Sequence, residues 1–126
     1  MKRDWDMIRD MLTRLEELPS RDMNLGMSAF ASDSQAIASY HAELLIEAGL
    51  VEGTLSRTIG PGIKHFMLRR LTWSGHEFLD SVRSDTVWNK TKKSFLTNGV
   101  SMTFDLVKSV ATDISVTLIK SGTGIS

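Results

Sequence analysis

Trp5, Ile8, Leu12, Leu15 and Leu18 recur at steps of three and four, which predicts an amphipathic helix over residues 4–18. Asp4 and Asp6 suit the positive end of its dipole, and Pro19 follows its stop. Met23, Leu25 and Met27 then alternate with Asn24, Gly26 and Ser28, the pattern of a short strand. A second helix, capped by Ser32, Asp33 or Ser34, runs to about Ala48 with Ile37, Tyr40, Leu44, Leu45 and Ala48 on its apolar face. Gly49 ends it. Segments 50–58 and 63–71 read as the strands of a hairpin. Its tip, Gly60-Pro61-Gly62, joins permissive glycines to a proline that sets its own φ, which is the chemistry of a turn. Arg69 and Arg70 are neighbours in the second strand and must point to opposite faces, so one of them lies at the sheet edge or pairs with an acid.

The remainder reads as helical. Ser74 with Glu77 makes a capping box, with Thr72 as a competing cap, and Phe78, Leu79 and Val82 supply the buried side. A break near Ser84 and Asp85 starts a new segment with Val87, Trp88, Thr91 and Phe95 on one face, ended by Asn98-Gly99. Val107, Val110, Ala111, Ile114 and Leu118 follow at helical steps. Ile114, Val116 and Leu118 would also alternate as a strand, but the longer helical pattern is preferred.

Helix, short strand, helix, hairpin, helix is the order of a winged-helix-like α+β domain. It is expected over residues 1–84, followed by a C-terminal helical extension over 85–120, packed on it or on a partner, and a flexible tail at 121–126. Only about fifteen residues separate the first two helices, so the supporting helix of a helix-turn-helix is missing or reduced to one turn.

Charge adds polarity to this picture. Fifteen basic residues balance fifteen acidic ones. Residues 1–53, however, hold five bases (Lys2, Arg3, Arg9, Arg14 and Arg21) against ten acids. Residues 54–76 hold Arg57, Lys64, Arg69 and Arg70 and no acid, and Lys90, Lys92 and Lys93 form a second basic cluster. The positive end therefore falls on the hairpin, a statement about partners rather than fold. Cysteine is absent, which excludes disulfides, thiolate metal sites and a Cys nucleophile. The opening MKRDWDMIRDML mixes acids with apolar residues and does not read as a signal peptide, and no apolar run approaches a bilayer span. A cytoplasmic protein with no membrane contact is the expectation.

No catalytic signature appears. His41, His65 and His76 lie far apart, without HExxH or other ligand spacing, and no GxSxG, SxxK or phosphate-loop pattern accompanies them. The chain is read as a non-enzyme with no cofactor and no metal. Nucleic acid is the leading partner class: Arg57, Lys64, His65, Arg69 and Arg70 on the hairpin are candidates for phosphate, and Gln35, Ser39, Tyr40 and His41 for base edges. The helix over 33–49 carries no Lys or Arg, so its contribution is thin. The alternative is a protein-interaction adaptor or homodimer that uses Trp88, Phe95, Met102 and Phe104, although these residues serve equally well as core.

The opening MKRDWDMIR, the helix end YHAELLIEAGL and the block LTWSGHEFLDSVRSDTVWNKTK together resemble a family of small bacterial and prophage-encoded proteins that carries only a domain-of-unknown-function label. The resemblance covers roughly the first three quarters of the chain. It implies a winged-helix-like fold and supplies no activity, cofactor or binding residue. The combined expectation is a DNA-binding or regulatory protein of bacterial or phage origin.

Overall fold

A computed structural model describes residues 1–58 and 64–122, with Arg57 and Thr58 described in backbone only. The expected Gly60-Pro61-Gly62 tip and the last four residues of the tail lie outside the described residues. The fold is α+β. Its order is α1 (Trp5–Glu16), β1 (Leu25–Gly26), two 3₁₀ turns (Met27–Ala29 and Ser32–Ser34), α2 (Gln35–Glu47), β2 (Val51–Thr58), β3 (Lys64–Leu71), α3 (Trp73–Val82), α4 (Asp85–Asn98) and α5 (Phe104–Ser121). Two compact units divide between His76 and Glu77, inside α3 and ahead of the break at Ser84 that the sequence suggested.

In the first unit, Asp4 caps α1 by accepting from the Met7 N–H at 3.1 Å. Ile8, Met11, Leu12 and Leu15 form its buried face. Met11 joins a stripe that its immediate neighbours Asp10 and Leu12 had hidden. The three strands are antiparallel in the order β1-β3-β2. Strand β1 is only two residues long, because Met27 turns away into a 3₁₀ turn instead of continuing the alternation. The supporting helix is thus replaced by single turns, which Gln35 braces by donating to the carbonyls of Met27 and Phe30.

Gly49 ends α2 in the left-handed region at φ 75°, with its N–H on Ile46 O and the Leu50 N–H on Leu45 O. This pair of bonds is a Schellman stop, and it satisfies carbonyls that the helix end would leave bare. Thr72 then ties the two ends of the hairpin together. Its hydroxyl donates to Gly49 O at 2.6 Å and accepts from the Gly75 N–H at 3.1 Å, while its own N–H reaches Leu50 O. Thr72, not Ser74, is therefore the cap of α3. The hydroxyl of Thr72 is shared with the preceding helix end, a tie that Ser74 does not make.

The hairpin contains a correction. Glu52 faces Arg70 and Gly53 faces Leu68, so Arg69 is an extra residue in β3, a β-bulge. Buried positions run Phe66, Leu68, then Leu71, stepping by three where the bulge lies. Arg69 and Arg70 do not part to opposite faces: both reach the carboxylate of Glu52. A Cβ on Gly53 would stand 2.6 Å from Met67 O, which is why glycine sits opposite the bulge.

In the second unit, Ser84 caps α4 through the Val87 N–H, and Gly99 closes it at φ 66°. The buried face of α4 is Val87, Trp88, Thr91 and Phe95, as its periodicity predicts. The segment after Gly99 is helical: Thr103 caps α5 by accepting from the Leu106 N–H, and Val107 and Ala111 are buried. Phe78 and Phe104 meet edge to face at 5.1 Å.

Candidate functional site

Gln35, Ser39, Tyr40 and His41 of α2 are used inside the fold. Ser39 is buried; its hydroxyl donates to Lys64 O at 2.6 Å and accepts from the Lys64 N–H at 3.2 Å, fixing α2 to the start of β3. His41 is 0% exposed. One ring nitrogen, Nδ1, lies 2.7 Å from Ile37 O, and the Asp4 N–H donates to Nε2 at 2.7 Å. A carbonyl on one side and an N–H on the other require the Nδ1–H tautomer, with both nitrogens satisfied. Tyr40 donates to Met1 O, and Gln35 braces the 3₁₀ turn. Ser39 and His41 are thus unavailable to a base edge. Gln35 and Tyr40, both half-buried, spend their polar atoms on backbone carbonyls.

The hairpin cations are largely countered. Lys64 Nζ lies 3.1 Å from Glu43 Oε2, an ion pair between β3 and α2. Arg70 makes a forked contact to Glu52, at 2.6 Å and 3.2 Å, and Arg69 approaches the same carboxylate at 3.7 Å. Two guanidinium groups share one carboxylate, so the cluster keeps one surplus positive charge. Both side chains are about three fifths exposed, at 60% and 62%. His65 is exposed on the same strand, and its N–H donates to Ser56 Oγ. For Arg57 only the backbone, within β2, is described.

Two of the four residues expected as a partner surface are interior. Trp88 and Phe95 are buried, and Met102 and Phe104 are half-buried. What the second unit presents instead is aliphatic: Leu96 at 84% exposure and Ile119 at 69%, with Val100, Leu106 and Val116 also in solvent. The sequence hid these because each sits beside or between residues of the buried stripe. Leu96 follows Phe95, and Ile119 follows Leu118. Trp73 is likewise exposed in the first unit, at 77%. Every other member of the Leu71–His76 stretch but Ser74 has a visible structural task. Leu71 is core, Thr72 is the cap, Gly75 packs on Leu50, and His76 faces Glu16 at 3.5 Å.

Two shallow hollows mark the α4–α5 pair. One, of about 210 Å³, is lined by Phe95, Asn98, Val100, Leu106 and Val110 among others. The other, of about 250 Å³, is lined by Lys90, Asp113, Ile114, Thr117 and Leu118. Both fall below the ~300 Å³ at which small-molecule sites begin. Among the described residues, no three His, Asp or Glu side chains gather as a metal would need, and no helix is long and apolar enough to cross a membrane.

No solved structure matches the chain. An uncharacterized protein of Haemophilus influenzae (strain ATCC 51907 / DSM 11121 / KW20 / Rd) is 37% identical over 114 residues, covering 90% of this chain and 95% of that protein. The family described as "Hypothetical protein (DUF2513)" matches residues 2–101, from ahead of α1 to beyond the end of α4. The chain belongs to the DUF2513 family.

Proposed function

We propose that this chain is a non-enzymatic, winged-helix-like protein that works by protein contact, with the helical unit after α3 as its contact surface. The winged-helix reading is supported by the order helix, strand, helix, hairpin, helix and by the sheet order β1-β3-β2. One observation carries the functional reading: Gln35, Ser39, Tyr40 and His41 of α2 spend their polar atoms inside the fold, whereas Leu96, Val100, Leu106, Val116 and Ile119 stand in solvent. An isolated exposed aliphatic residue is ordinary, but five on α4, α5 and the turn that joins them are the mark of a surface that is covered in use.

A second reading has its own support. Arg69, Arg70 and His65 are exposed on an acid-free strand, and two arginines against one glutamate leave positive charge for a phosphate. Contact of that kind would be independent of sequence, since α2 offers no reader. Titrating duplex DNA at low and moderate salt, against the wild type and Lys64→Ala/Arg69→Ala, separates the two readings. Protein contact predicts no binding at moderate salt and no difference between the proteins. Salt-sensitive binding lost in the variant would favour the hairpin as a phosphate contact.

A further inference from the structure

We infer that α4 and α5 form a groove that receives an acidic amphipathic helix of another protein. The inference rests on the protein-contact reading above and names the chemistry of the partner. The lining residues Lys90, Ser94 and Asn98 of α4 follow steps of four. Those of α5 include Leu106, Val110, Asp113 and Thr117, at steps of four, three and four. Residues at such steps share one side of a helix, so each helix lends the same ridge to both hollows. The two hollows are the ends of one groove.

The spacing of its ends is that of a helix-binding site. Leu106 and Val110 line one end, and Ile114 and Leu118, eight residues on, line the other, about 12 Å away along the axis of α5. Side chains seven residues apart on an incoming helix are separated by ~10.5 Å. A helix laid along the groove therefore sets one apolar anchor in each hollow. The floor suits such anchors: Phe95 is buried, and Val110, Ile114 and Leu118 are half-buried.

Charge selects the occupant. After Asp85, α4 carries Lys90, Lys92 and Lys93 and no acid. Lys92 lies over the ring of Trp88 at 5.4 Å. Lys90, which lines the groove, and Lys93, one turn on, are exposed, and neither has an ion-pair partner among the described residues. Across the groove Asp113 is the one acid among the lining residues described, and it makes no ion pair with Lys90. The groove is thus left unbridged, with two free ammonium groups along its α4 wall. A partner helix that turns carboxylates to that wall complements it, and one that turns lysines to it is repelled.

Fluorescence anisotropy on the full chain tests the groove with two labelled, stapled helical peptides. Both carry leucine at i, i+3, i+4 and i+7; one flanks the leucines with glutamate, the other with lysine. Wild type is expected to bind the glutamate peptide about tenfold tighter than the lysine peptide. Val100→Ser/Leu106→Ser should weaken both by about tenfold, and Lys90→Glu/Lys93→Glu should reverse the preference. All four positions are exposed, so the fold tolerates the changes, and circular dichroism checks it. Equal affinity for the two peptides, or a preference that survives Lys90→Glu/Lys93→Glu, overturns the acidic partner. So does a wild type that dimerises in sedimentation and loses the dimer in Val100→Ser/Leu106→Ser, since a second copy would then fill the groove. Binding of neither peptide overturns the groove itself. In that case exposed-apolar dye binding that falls in Leu96→Ser/Ile119→Ser leaves the protein-contact reading standing, and a wild type that binds no dye removes that reading as well.

Discussion

The backbone N–H of Asp4 donates to Nε2 of His41 at 2.7 Å, joining residues 37 apart and setting the first turn of α1 against the middle of α2. Asp4 is also the cap of α1, through its side chain on the Met7 N–H. One residue thus starts a helix with its carboxylate and docks it with its backbone. The imidazole completes the joint by donating its single N–H, at Nδ1, to Ile37 O.

The joint predicts a graded response at His41. His41→Leu keeps the volume but orphans the Asp4 N–H, and should cost about 1–3 kcal/mol in urea unfolding. His41→Gln, whose amide oxygen reaches the Nε2 position, should cost less. Nitrogen chemical shifts of the wild-type ring should report the Nδ1–H tautomer.

Glycine at 75 and at 49 serves opposite needs. A Cβ at Gly75 would lie 2.0 Å from Leu50 O, so Gly75→Ala must force α3 off the end of α2, with a loss of about 3 kcal/mol or more despite the better helix propensity of alanine. Gly49→Ala meets nothing within 4 Å and bears only the left-handed backbone, about 1 kcal/mol. Chemical denaturation of the two variants should rank them in that order.

Glu52 holds two arginines at the surface, and solvent screens both pairs. Glu52→Gln should change stability by under about 1 kcal/mol while raising the hairpin's charge by one. Under protein contact the variant stays indifferent to duplex DNA at moderate salt. New salt-sensitive binding would move the weight to the hairpin.

Trp88 and Leu96 should separate core from surface. Trp88→Ala empties a buried site and is expected to cost about 3–5 kcal/mol, whereas Leu96→Ser should leave monomer stability within about 0.5 kcal/mol. Thermal unfolding of the two, run at a concentration too low for association, checks the contrast.

Local features were legible because their causes are local. The face Val87, Trp88, Thr91 and Phe95 follows from a period of 3.6, and the ends of α2 and α4 follow from glycines that alone enter the left-handed region readily. The helical steps of Val107, Val110, Ala111, Ile114 and Leu118 likewise outweighed the short strand-like alternation in what became α5. The order of elements through the hairpin could be read in the same way, since each boundary is written in turn chemistry beside it.

What the tertiary structure alone decided is where polar and charged groups end up. Ser39 and His41 look like surface readers until β3 and the start of α1 arrive to bond them, and those partners are 25 and 37 residues away. Arg69 and Arg70 alternate on paper, but a bulge exists only when a second strand sets the register, and it brings both to Glu52. Trp88 and Ile119 are alike in hydrophobicity yet opposite in exposure, because burial belongs to what packs against a position and not to the residue that fills it.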